Sequence, residues 1–128
     1  MAYAYSTISD RSFDGTIAHV TDKLKEEGFG VLTEIDVKET LKKKLDVDFK
    51  NYRILGACNP EFAHKALQAE DKIGVMLPCN VIVEEHEDDT VEVSAVDPVA
   101  SMQSVDNQQL EPIAGEVRDR LKKVIDQL

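Results

Sequence analysis

The chain has 128 residues, 42% of them apolar and 31% charged, and a formal net charge of −10 at neutral pH. That length suits a single domain burying roughly two-thirds of its unfolded surface, and the composition excludes a disordered chain or a membrane-spanning one, since no apolar run nears the roughly 18 residues of a transmembrane helix. The acidic excess repels phosphates and anionic lipid, so neither nucleic acid nor a membrane is an expected partner, and the basic cluster at 42–44, flanked by Glu39 and Asp46, suits a solvated helix face.

The opening MAYAYSTISDRS lacks the basic start and apolar stretch of a secretory signal, which makes the cytoplasm the expected compartment. Residues 2–8 alternate as a strand does, with Tyr3, Tyr5 and Thr7 on one side and Ala4, Ser6 and Ile8 on the other. After Ser12 or Asp14 as a cap, Phe13, Ile17, Val20 and Leu24 recur at helical spacing as far as Gly28 and Gly30, which can end a helix. Residues 31–37 alternate again, placing Val31, Thr33, Ile35 and Val37 on one face and Leu32, Glu34 and Asp36 on the other. Asp36 with Glu39 three residues on forms a variant capping box for a short helix whose apolar stripe is Leu41 and Leu45, and 46–51 is a loop. Residues 52–58 are apolar at nearly every position, which predicts a central strand covered on both faces, with Gly56 marking a bulge or a close backbone approach.

Asn59 and Pro60 open a helix, asparagine as an acceptor for an orphan N–H and proline as a first residue with no N–H to leave unpaired. Its buried side is Phe62, Ala63, Ala66 and Leu67. After a turn at Asp71 and Lys72, residues 73–83 are largely apolar, and Pro78 places the start of a strand near itself. The acidic run 84–89 separates two valine-rich alternating segments, 81–85 and 90–96, as the loop of an antiparallel hairpin. It lacks the alternating acidic positions and the glycine of a calcium loop, so it reads as a solvated turn. Asp97 and Pro98 cap a short helical turn through Met102, 104–109 is a linker, and a long amphipathic helix begins near Glu111 and Pro112, with Ile113, Val117, Leu121, Val124, Ile125 and Leu128 in its stripe.

Strand, helix, strand, short helix, strand, helix, strand, strand, helix is the order of an α+β domain of two layers, a mostly antiparallel five-stranded sheet with two long helices on one face. The other face would show some of Leu32, Leu55, Ala57, Ile82 and Val96 among Glu34 and Ser94, a usual place for a homodimer contact or a ligand.

Cys58 and Cys79 each precede an asparagine, in Gly56-Ala57-Cys58-Asn59-Pro60 and Leu77-Pro78-Cys79-Asn80-Val81. One ends a strand and the other begins one, so antiparallel neighbours would carry both thiols to the same end of the sheet. In a reducing compartment they are expected as free thiols. Cys58 lies just before a helix N-terminus, whose dipole lowers a thiol pKa, while the plainer alternative is two small residues in a packed core. No CxxC is present, and His19, His64 and His86 are not spaced to complete a zinc set with two cysteines, so neither a metal nor another cofactor is expected. Gly28 and Gly30 lack the pattern of a dinucleotide loop, no P-loop or nucleophile elbow occurs, and Ser94 and Ser101 have no neighbouring histidine.

The run Tyr52-Arg53-Ile54-Leu55-Gly56-Ala57-Cys58-Asn59-Pro60, followed by Ala66-Leu67, Ile73-Gly74, Leu77-Pro78-Cys79-Asn80-Val81 and Asp97-Pro98, resembles domain-of-unknown-function family 302 of bacteria and archaea over essentially the whole chain. The resemblance implies helices packed on an antiparallel sheet in a layout similar to the TATA-binding-protein-like fold, and a homodimer; it implies no activity. DNA binding does not follow from that layout, because a basic concave sheet is required and the charge here has the other sign.

Three functions fit these features. One is a homodimeric domain that binds or senses a small, partly apolar molecule at Cys58, Asn59, Cys79 and Asn80, where the asparagines orient the ligand. Another is a thiol-based redox or thiol-transfer protein using Cys58 with Cys79 as resolving partner, and the third is a purely structural or interaction role through the open sheet face.

Overall fold

Alternating valines shape the middle of the molecule. In the computed structural model, which describes residues 2–128, β4 (Cys79–Glu85) and β5 (Val91–Val96) form an antiparallel hairpin in which Val81 faces Ala95 and Val83 faces Val93 on one side, and Ile82 faces Ser94 and Glu84 faces Glu92 on the other. Around this pair the chain adds β1 (Ala4–Ser9), α1 (Phe13–Glu26), β2 (Gly30–Asp36), α2 (Val37–Leu45), β3 (Tyr52–Cys58), α3 (Pro60–Ala69), a 3-10 turn (Asp71–Met76), α4 (Pro98–Ser101) and α5 (Leu110–Asp126). The five strands make one sheet in the order β1-β5-β4-β3-β2, antiparallel throughout.

Both long helices lie on the same face. α1 begins where the Ser12 hydroxyl accepts from the Gly15 N–H at 3.1 Å, and its chain turns away at Gly28, whose φ of +87° favours a residue without Cβ. Val20 and Leu24 of α1, and Val117, Leu121, Val124 and Ile125 of α5, meet Leu55, Ala57, Val81, Val83, Val93 and Ala95 of the sheet in one core cluster. Each fully buried valine or leucine there contributes roughly 1.5–3 kcal/mol against leaving it in water. A smaller cluster of Ala66, Ile73 and Leu110, with Leu77, Met102 and Ile113 packed on it, closes the end of the sheet where β3 stops and β4 starts.

Several local expectations are corrected. In β2 the register slips between Val31 and Thr33, leaving Leu32 without a partner. An extra residue reverses the side-chain phase, so Val31 shares the helix side with Ala57 while Thr33 and Ile35 join the open side with Gly56 and Ile54. Glu34 and Asp36 thereby come to the helix side beside Arg53, which bonds Glu34 and lies 3.5 Å from Asp36, its guanidinium 5.7 Å from the Phe13 ring centre.

Leu55 and Ala57 are core residues, not open-face ones. The open face instead shows Ile8, Ile35, Ile54, Ile82 and Val96, placed there by cross-strand register. β3 is therefore covered by helices on one side only; its apolar run reads as doubly buried because Ile54 belongs to this open face. Residues 71–76 wind as a 3-10 turn, and the strand starts at Cys79, just past Pro78. α2 buries no residue, leaving Leu45 exposed, and Leu67 of α3 is exposed as well.

Gly56 is needed for a close approach. A Cβ there would lie 2.1 Å from Thr33 Oγ1 and 2.8 Å from Pro78 Cγ. Gly56→Ala is expected to lower stability by about 2 kcal/mol in urea unfolding, with part of the loss recovered when Thr33→Ala is added, since overpacking forces neighbours off their preferred geometry. Simple additivity of the two changes would contradict this account.

Candidate functional site

β3 ends at Cys58 and β4 begins at Cys79, and because Ala57 pairs directly with Cys79, both cysteines reach the same end of the sheet. They line a cleft of about 30 Å³ between that sheet end and α3, α4 and α5. Its walls are apolar, among them Phe29, Phe62, Pro98 and Ile113, and no charged residue lines it. Cys58 is half-buried at the cleft and Cys79 is 7% exposed, and both are free thiols.

The two asparagines part company. Asn59 occupies the N-cap position of α3 and lines the cleft, but its side chain makes no capping bond. Its amide instead donates to the Glu27 carbonyl at 3.4 Å, an oxygen that also accepts from Arg120 Nη1 at 3.2 Å. The start of α3 is thereby tied to the end of α1 and to α5, with Gly28 leaving room for the amide, since a Cβ there would sit 3.0 Å from Asn59 Nδ2. Asn80 pairs with Gly56 across the strands and is exposed on the open sheet face. Cys58, Asn59 and Cys79 line the same cleft, while along the strands alternation keeps Cys79 on the side of Ala57 and puts Asn80 on the other side with Gly56.

Burial governs the thiols. It pushes Cys79 up to about 11, with the neighbouring Cys58 adding to the rise, and it raises Cys58 as well. Desolvation opposes the charged form, and it is the cause of the rise at Cys58. Near neutral pH both groups hold their protons, so neither is an activated nucleophile.

The histidines lie elsewhere: His19 is half-buried on α1 and His64 exposed on α3. His86 follows β4, with Nε2 2.9 Å from Glu92 and 3.9 Å from Glu84. Those two carboxylates face each other across the hairpin, and Lys50 reaches Glu84 at 2.7 Å. Like charges opposite one another are unfavourable, and the Lys50 ammonium supplies the compensation, while His86 Nε2 shares a hydrogen bond with Glu92. This cluster was hidden in the sequence because it depends on the hairpin register, which sets Glu84 against Glu92. Ser94 bonds Ser6 at 2.7 Å across the open face, and Ser101 closes α4.

The apolar walls of the cleft, Phe29, Phe62, Met102 and Ile113 among them, were not among the expected site residues. Met102 follows α4, whose start is held by Asp97 accepting from the Val99 N–H at 2.9 Å and the Ala100 N–H at 3.4 Å. The Asp97-Pro98 cap was legible, but nothing in the sequence says which way the next turn faces.

Two layers, a five-stranded antiparallel sheet and a cleft at the sheet end that both cysteines line define the class as a small α+β domain. Residues 5–128 match the family model described as "Domain of unknown function DUF302", and the chain belongs to that family. A solved structure described as an uncharacterized conserved protein DUF302 from Bacillus stearothermophilus is 29% identical, with a TM-score of 0.92 over 99% of this chain and 98% of that one. No curated protein matches. Among the described residues, no helix is long and apolar enough to cross a membrane.

Because the folded pKa of Cys79 lies above its ordinary value near 9, the native state keeps the proton longer than the unfolded chain. The stabilisation from burying a neutral thiol is complete below about pH 9 and is lost as pH rises through the folded value. Relative to Cys79→Ala, the wild-type chain is expected to lose roughly 2 kcal/mol of stability between pH 8 and 11, read by paired urea titrations under reductant. An unchanged difference across that range would contradict the burial of the group.

Proposed function

We propose that the protein is a homodimeric domain of the reducing cytoplasm that binds or senses a small ligand in the cleft beside Cys58 and Cys79. The observation that carries the proposal is the cleft itself. It is walled by residues of β3, α3, β4, α4 and α5, it is uncharged, and one of its two thiols is half-buried at its edge. Ligand sites are concave and mostly apolar with few polar groups, and this cleft follows that layout on a small scale. Asn59 is spent on the Glu27 carbonyl and Asn80 faces away, so recognition falls to the sulfurs and to shape. Thiol transfer finds no support, because it needs a thiolate and burial keeps both groups protonated.

Self-association is assigned to the open sheet face. Ile8 and Ile35 are 55% and 47% exposed there, beside half-buried Ile54, Ile82 and Val96. An apolar face of this kind can bury itself against its own copy, as an isologous contact does.

Native mass spectrometry of protein gently isolated from its host is expected to show one extra mass per chain. Ala63→Leu, which adds carbons at the cleft wall, is expected to remove that mass and to slow alkylation of Cys58. A bare wild-type mass, with Cys58 alkylated equally fast in both proteins, would sink the site. For the dimer, light scattering is expected to give twice the chain mass for the wild type and a single chain for Ile82→Glu; a wild-type monomer at about 50 μM would refute it, since a stable dimer interface gives sub-micromolar affinity.

A further inference from the structure

Glu84 and Glu92 face each other across the β4–β5 hairpin on the open side of the sheet, and His86 follows Glu84 by two residues. The hairpin turn holds the histidine backbone in place: its N–H donates to the Thr90 carbonyl at 2.8 Å and its carbonyl accepts from the Asp89 N–H at 2.9 Å. His86 Nε2 then stands 2.9 Å from a Glu92 oxygen and 3.9 Å from a Glu84 oxygen, and one donor atom from each of the three residues lies within 4.8 Å of the other two. Ligands placed ~2.1 Å from a single zinc ion are roughly 3–4 Å from one another, so small side-chain adjustments bring all three donors to a common centre.

This group differs from a solvated acidic surface. The Glu84 side chain is only 14% exposed and that of Glu92 29%, so two carboxylates of like charge are held half-buried against each other. One ammonium, Lys50, bonds Glu84 at 2.7 Å, which leaves one negative charge of the pair without a lysine or arginine beside it. An imidazole nitrogen is aimed into the same space, and a surface groove lined by Phe49, Lys50, His86 and Thr90 gives solvent a route to it. All three donors sit on one hairpin, and a rigid pair of strands positions ligands more closely than a free loop does.

We propose that Glu84, His86 and Glu92 bind one divalent first-row transition-metal ion, with zinc(II) as the fitting case. Two carboxylate oxygens and an imidazole nitrogen make a donor set that zinc accepts, whereas calcium and magnesium ask for six or more oxygens. Three protein ligands leave a coordination position open to water. His86 enters as the neutral imidazole with its proton on Nδ1, and the two carboxylates match the charge of the ion. Lys50 is then a competing cation that must move off Glu84. The site lies at the opposite end of β4 from Cys79, so it stands or falls independently of the cleft.

The untagged, reduced full-length protein is to be titrated with zinc(II) against a competing chelating dye at physiological ionic strength. One ion per chain is expected, undisturbed by excess calcium. Glu84→Gln, His86→Gln and Glu92→Gln are each expected to weaken binding by at least about 30-fold, while Glu87→Gln, at an exposed neighbour, leaves it unchanged. Lys50→Met is expected to tighten binding by about 10-fold, because it removes a positive charge beside the ion. Cobalt(II) in place of zinc is expected to give visible d–d bands with no thiolate-to-cobalt absorption. Circular dichroism reports whether the glutamine variants fold, and Lys50→Met with the cobalt spectrum decides the matter if they do not. Zinc held no more tightly by the wild type than by the Glu84→Gln/Glu92→Gln double variant, an equal loss in Glu87→Gln, weaker binding in Lys50→Met, or a thiolate band in the cobalt form would overturn the assignment.

Discussion

The pairing of β3 with β4 is the constraint on which the rest of the molecule depends. Leu55 against Val81 and Arg53 against Val83 set one side of the sheet under α1 and α5, and the same register sets Ala57 against Cys79 at the far end. A slip of β3 by one residue would turn Leu55 and Ala57 to the open face and carry Ile54 into the core. The thiols would then no longer share a cleft. Fold and site are thus specified by one set of hydrogen bonds.

The chain carries ten net negative charges, yet its cleft contains none. The acids are sent to the rim, to α2 and to the hairpin tip, where Lys42 meets Asp46 at 3.0 Å, Lys43 meets Glu39 at 2.7 Å and Lys50 meets Glu84 at 2.7 Å. Exposed pairs of this sort contribute about 1 kcal/mol or less each, so they shape the surface more than they hold the fold together. Inside the cleft the absence of charge has the larger effect, because it leaves desolvation unopposed and keeps both thiols neutral.

A second set of contacts fixes the mouth of the cleft. The Glu27 carbonyl, the last acceptor of α1's end, takes bonds from Asn59 and Arg120, and the Arg120 guanidinium lies 5.0 Å from the Phe62 ring centre. Phe62 is a wall of the cleft. The end of α1, the start of α3 and the middle of α5 are therefore joined at one carbonyl. This explains why Asn59 fails to cap its own helix: its amide satisfies a carbonyl left over at the end of another.

The sequence by itself determined the elements and the class. Ser12, Asp36 and Asp97 marked helix starts because capping chemistry is local, Pro60 marked another because a first helical residue needs no N–H, and the alternating valines at 81–85 and 91–96 marked the hairpin because strand period is local too. The motifs around Cys58 and Cys79 carried the family resemblance. Only the tertiary structure decided what depends on phase between strands. The slip at Leu32 reversed the faces of Thr33 and Glu34, Asn80 was sent to the face opposite Cys79, and Met102 was brought to the cleft wall by the direction of a turn. The thiol pKa values were decided there as well. A sequence shows that Cys58 precedes a helix, but the cost of charging a thiol is set by how much apolar protein surrounds it, and that is known only once the chain has closed around it.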